Sequence, residues 1–326
     1  MKYKKWLALL LTILLVLCAT SCRTDTSDHR DEDSGSSTAS FYNQIADGPL
    51  LYQVTDTDGD VVWLFGSIHV GKNEFYPLPD YVLDALKQSD GLAVEFDVLA
   101  FETDVTAQSR AITHMKYTDG STIADHLSPD VYEQAVQALK EKGLYSPLYH
   151  QYKPMMWSSM IDSSLMDPNA AALGVDRYMI QFAKELGLPV LDVESAEAQY
   201  RMMGSFSDAL QELLLKTSLA GGQSADAYRR QVEELMDLWI SGNAKALRRE
   251  LSTKSTFFLP KQEKQLYKEY TNKMYAERDD GMTAFVKQAL DEGEELFVCV
   301  GAAHIVGKGA IIDQLLADGY IVELVN

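Results

Sequence analysis

Apolar and polar positions divide the chain into three regimes. After a basic start at Lys2, Lys4 and Lys5, positions Trp6 to Ala19 are almost continuously apolar. That run of 14 residues is short for a membrane span of about 20, so it predicts an export signal and not a spanning helix. From Arg23 to Thr38 no residue can join a core, which predicts a disordered tether. Beyond it, short apolar runs alternate with long stretches of helical periodicity. The runs Val61–Phe65, Leu92–Val94, Pro189–Leu191, Leu296–Val300 and Tyr320–Val325 are the strand candidates. Runs without polar alternation suit strands buried on both faces, as in a largely parallel sheet covered by helices.

The segment between about 100 and 290 reads as mostly helical. One helix opens at Ser128 with Pro129 in its first position, spaces Val131, Ala135 and Leu139 four apart, and stops by Gly143. Another places Val232, Leu235, Met236 and Trp239 on one face before Gly242. Trp239 and these methionines read as core. The expected fold class is therefore α/β: a largely parallel central sheet built from the amino- and carboxyl-terminal halves, covered by helices, with a large helical insertion in the middle. The expected division is a signal peptide over 1–21, a tether over 22–40 and one α/β domain over 41–326.

Ala19-Thr20-Ser21-Cys22 sets small residues before a cysteine, an arrangement that resembles a bacterial lipoprotein signal. Cleavage before Cys22, with lipid on its thiol, would make the protein extracytoplasmic and anchored to a membrane. An ordinary secretory signal or an uncleaved anchor would also export it. Cleavage there removes three lysines and no acid, so a net charge of −19 becomes −22. That charge argues against nucleic acid and against anionic lipid as electrostatic partners. Cys299 lies inside an apolar run and reads as a small core residue. With Cys22 lipidated it has no disulfide partner, so stability must come from burial.

Two apolar runs end alike, in Gly66-Ser67-Ile68-His69 and Gly301-Ala302-Ala303-His304, and each is soon followed by a second glycine, Gly71 or Gly307. An amphipathic helix, an Asp-Gly turn and a strand with a glutamate follow each motif, at Glu95 and at Glu323. Either these are two unrelated strand-to-loop turns, or the two ends form equivalent halves of one sheet. In the second case the histidines share a site at the carboxyl ends of the strands, beneath the insertion.

Imidazole is the commonest metal ligand. Glu95 leaves the apolar run Leu92-Ala93-Val94, and a carboxylate there must be paired, protonated or on a metal. His69, His304 and Glu95 together form a two-histidine, one-carboxylate set that suits a divalent ion. A salt bridge to an Arg or Lys is the alternative for Glu95. Glu194 ends a second apolar run and reads as a fourth ligand, a general base or a helix-capping acid beside Ser195. His29 falls in the tether, and His114, His126 and His150 read as surface or core polar residues. The chain has no HExxH, GxSxG, Walker loop, GxGxxG or CxxC motif, which lowers the serine hydrolase, nucleotide-binding and redox readings.

The motif order resembles the TraB/GumN family, which includes the Tiki proteins and is related to erythromycin esterase-like and ChaN-like folds. The resemblance spans roughly 49–326. It runs through Trp63-Leu64-Phe65-Gly66-Ser67-Ile68-His69-Val70-Gly71, Tyr76-Pro77-Leu78-Pro79 and Val94-Glu95-Phe96-Asp97. It continues through Lys153-Pro154 with Trp157, Gly174-Val175-Asp176-Arg177-Tyr178, Gly187 to Ser195 with Gln199, and Val300 to Gly307. Asn243 stands where the family's Trp…Gly-Asp element has Asp, and Asp279 where its Arg-Asn element has Asn. The resemblance implies a metal-dependent protease with activity carried by His69, His304 and Glu95. Arg278 would then stabilise an oxyanion, or form a structural ion pair with Asp176 or Glu194. The expected function is a lipid-anchored hydrolase, most simply a peptidase that activates water on a divalent metal ion. The alternatives are a non-catalytic peptide- or pheromone-binding protein, and an erythromycin esterase-like hydrolase of small molecules that needs no metal.

Overall fold

The computed structural model describes residues 41–222, 225–251 and 261–325. The expected signal, lipidated Cys22 and tether lie outside the described residues. The fold is α/β, with one six-stranded sheet in the order β4-β3-β5-β2-β1-β6, covered by helices. The strands are β1 (Leu51–Thr55), β2 (Val61–Ser67), β3 (Gly91–Val94), β4 (Val190–Asp192), β5 (Leu296–Gly301) and β6 (Ile321–Val325).

β4, β3, β5 and β2 run parallel, while β1 is antiparallel to both of its neighbours. β2, from early in the fold, and β5, from late in it, pair at the centre of the sheet. β2 and β5 pair from Trp63 with Phe297 to Ser67 with Gly301, so the two glycine–histidine motifs leave the sheet side by side, offset by one residue.

Burial follows the apolar runs where the sheet is central. Every residue of β3 and β5 is buried. The expectation of burial on both faces fails at the rims: Leu191 of β4 is exposed, and β6 alternates, with Ile321 and Glu323 outward. An edge strand has one neighbour and less cover, whatever its composition. Glu323, on β6, lies opposite Gln53 of β1, and β2 and β1 separate it from β5. The resemblance between the glutamates of the two halves therefore ends at sequence, because β1 intervenes in one half only.

The Pro129–Glu141 and Ala225–Ile240 helices form as the periodicity predicts, burying Val131, Ala135 and Leu139 in one and Val232, Leu235, Met236 and Trp239 in the other. Three apolar clusters result. The largest surrounds the sheet, a second gathers Phe101, Tyr200, Met203 and Met274 above the strand ends, and a third packs Leu139, Trp157 and Leu215 within the insertion. The second glycine of each motif permits a close backbone approach. A Cβ on Gly71 would sit 2.0 Å from the Leu173 carbonyl oxygen, and one on Gly307 would sit 2.3 Å from that of Ala303. Neither position accepts a side chain without moving backbone.

Candidate active site

The four parallel strands release their polar residues at one end of the sheet. β3 ends at Val94 and the chain leaves it as Glu95; β2 ends at Ser67, two residues before His69. β5 ends at Gly301, where the short Ala302–Val306 helix carrying His304 begins, and Glu194 follows β4 by two residues. The carboxyl ends of parallel strands are where open α/β sheets place their ligand sites. Helices of the insertion close over this end. Val175–Leu186 supplies Asp176, Ala196–Gly204 supplies Gln199, and Glu277–Asp291 supplies Arg278 and Asp279.

Glu95 is only 7% exposed. Its Oε1 accepts the Gly301 backbone N–H at 2.9 Å. Its Oε2 accepts Gln199 Nε2 at 2.9 Å and Arg278 Nη2 at 2.6 Å. Burial alone would push this carboxyl up, but the guanidinium first, then the two imidazoles, hold it well below the usual carboxylate range. Glu95 is therefore ionised across ordinary pH.

Arg278 occupies the centre. Its Nε donates to the two Glu194 oxygens at 3.0 and 3.2 Å, and Nη2 also donates to Glu194. Nη1 donates to the Met274 carbonyl at 3.2 Å and to His304 Nε2 at 2.9 Å. Met274 belongs to a π-helical turn, Asn272–Ala276, directly before the helix that carries Arg278. Such turns redirect backbone groups and recur at functional sites. A guanidinium has five N–H groups, and all of them face an acceptor here. Of the two roles open to Arg278, the structure displays the ion pair, with Glu194 and Glu95 as partners and not Asp176. Gln199 Nε2 ties the two glutamates together, reaching Glu194 Oε1 at 2.7 Å.

Each motif histidine faces an aspartate through Nδ1. His304, fully buried, has Nδ1 2.5 Å from Asp279 Oδ1. Because the guanidinium can only donate, His304 Nε2 accepts and Nδ1 carries the proton toward Asp279. Burial pushes the Asp279 carboxyl up, and the bond to His304 partly opposes it. His69 Nδ1 lies 3.3 Å from Asp176 Oδ1, close enough for charge attraction but too misaligned for a hydrogen bond. Burial disfavours a charged His69, but the carboxylates of Asp176 and Glu95 together outweigh it, so the imidazole pKa is raised.

His69, Glu95, Gln199, Arg278, Met203 and Met274 line a cavity of about 30 Å³, room for a water molecule or two. Cys299 lines its floor and is buried within β5. His304 stands behind Arg278 and does not border the cavity. His114, His126 and His150 lie in the insertion, against Glu197, Asp208 and Tyr145 respectively.

The donor types expected of a metal centre are present, but their arrangement does not fit one. Among the described residues no group of three His, Cys, Asp or Glu side chains is placed to hold a metal ion. The lone pair of His304 Nε2 and the Oε2 of Glu95 both point at the Arg278 guanidinium. Glu194, expected as ligand or base, is held by the same guanidinium and by Gln199. Asp279 and Asp176 were not expected as histidine partners. Each falls in the first turn of a helix, and only the fold shows which imidazole each one meets.

Fold and site together define an α/β protein with a buried, charge-paired centre at the carboxyl ends of four parallel strands. The chain belongs to the TraB/PrgY/gumN family, whose model matches residues 50–324. It is similar to YbaP, an uncharacterized protein of Escherichia coli K12, at 25% identity over 255 residues, covering 77% of this chain and 86% of YbaP. It is similar to the human metalloprotease TIKI1 at 25% identity over 304 residues, covering 80% of this chain and 59% of TIKI1. The metalloprotease TIKI2 of Xenopus tropicalis matches at 25% identity over 304 residues, with 80% and 57% covered. This chain thus spans less than two thirds of human TIKI1 and of Xenopus TIKI2. No solved structure matches it.

Proposed function

We propose that the protein is a hydrolase of peptides that acts outside the cytoplasm from a lipid anchor at Cys22. One observation carries the reading. Two histidines that follow the adjacent parallel strands β2 and β5, each facing an aspartate through Nδ1, flank a buried glutamate beside a water-sized cavity. Two relatives named metalloproteases support it from the side of similarity.

The chemistry is derived from the chain's own side chains, since the donors do not fit a divalent ion as arranged. His69 borders the cavity and is placed to take a proton from a water held there, and the Asp176 carboxylate beside Nδ1 stabilises the imidazolium that forms. The water oxygen bonds to the scissile carbonyl carbon, the carbon–nitrogen bond breaks, and His69 returns the proton to the departing amine. Glu95 stays ionised and shapes the field in which this happens, while Glu194 and Gln199 fix the guanidinium.

Incubation of the purified protein with a peptide library, followed by mass, tests the proposal. New fragments that disappear with His69→Ala support it. Peptides retained intact on the protein favour the binding reading, and cleavage of ester-bearing small molecules alone favours the esterase reading.

A further inference from the structure

We infer that Arg278 is the resident cation of this site, and that its guanidinium excludes a divalent ion from the donors the ion would need. The guanidinium is 7% exposed on its side chain and makes contact with two carboxylates and one imidazole nitrogen. Two of the three donors expected of a metal, Glu95 and His304, present their free lone pairs to it. The remaining oxygen of Glu95 is spent on the Gly301 N–H. A metal ion accepts lone pairs and a guanidinium approaches the same lone pairs through its protons, so the two are alternatives at these atoms.

The surroundings make the arginine hard to displace. Its five N–H groups are all engaged, Gln199 braces both of its carboxylate partners, and the Met274 carbonyl receives it from the π-helical turn. Moving it would take the charge partner from the buried Glu95 and the partly buried Glu194, which is strongly unfavourable. The resting protein therefore balances its buried acids with an organic cation, and metal enters only where the guanidinium is removed.

Titration of Zn²⁺ and Mn²⁺ into the metal-stripped mature protein, read by calorimetry and by metal content after gel filtration, tests this. The wild-type protein is expected to retain no stoichiometric ion. Arg278→Met is expected to bind one ion about 100-fold or more tightly than wild type, because it frees donors from a buried ion pair. The gain should vanish when His304→Ala is added. Should Arg278→Met not fold, the same comparison is made with Glu194→Gln/Arg278→Met, which removes one of the stranded charges, and with Arg278→Lys. One tightly held ion per wild-type chain, lost on His69→Ala, overturns the inference, as does a folded Arg278 variant that gains no affinity. The readout is metal content, so the inference stands or falls separately from peptide hydrolysis.

Discussion

Glu95 follows an apolar strand, so the sequence requires a partner for its charge; the structure supplies Arg278, which lies 183 residues away. Asp279 shows itself in sequence only as an exchange, and its role beside His304 emerges only when the Glu277–Asp291 helix packs against β2 and the Ile311–Ala317 helix. Asp162 was invisible altogether, lying among serines in the Pro154–Leu165 helix. It is fully buried, with Oδ2 accepting Ser218 Oγ at 2.8 Å and Oδ1 without a partner. Burial pushes its carboxyl up to about 7. An acid raised in the folded state keeps its proton where the unfolded chain has lost it, so its contribution to stability declines as pH rises from about 4 through 7. Wild-type protein should accordingly lose on the order of 3 kcal/mol from this group between pH 5 and pH 8. Asp162→Asn should remove that part of the slope, as urea melts of both proteins at the two pH values will check.

At the scale of elements, the central strands were legible because burial on both faces demands unbroken apolar runs. β1 is hard to read in the sequence because Leu-Tyr-Gln-Val-Thr interleaves polar residues, and because its pairing with β6, Leu51 opposite Val325, is long-range. The outer strands were located but given the wrong environment, since exposure at a rim is set by what packs beside it. Trp239 read as core, and the fold adds a second task for it. Its indole N–H donates to the Gly66 carbonyl at 2.7 Å, bracing the first motif where it leaves β2. Trp239→Phe keeps most of the packing and strands that carbonyl, for an expected loss of about 1–3 kcal/mol. The urea midpoint should fall with an unchanged slope; an unchanged midpoint would mean that the hydrogen bond carries no stability.

At the scale of the whole molecule, β2 and β5 meet at the centre of the sheet and the helices between them in the chain close over their ends. That arrangement places His69 and His304, 235 positions apart, just beyond the ends of neighbouring strands. The same view extends to location. If the protein works from a membrane anchor, Cys22→Ser should release it from the membrane fraction, and the mature amino terminus should carry lipid by mass. An unmodified, cleaved Cys22 would instead point to ordinary secretion.

The central claim is that the two motif histidines serve one site, and a double-mutant cycle on peptide hydrolysis tests it most directly. Residues that act as one catalytic unit are strongly non-additive. His69→Ala and His304→Ala should each abolish nearly all cleavage, and the double variant should be no slower than the worse single one. Losses that multiply in the double variant, or wild-type rates in either single variant, would contradict a shared site.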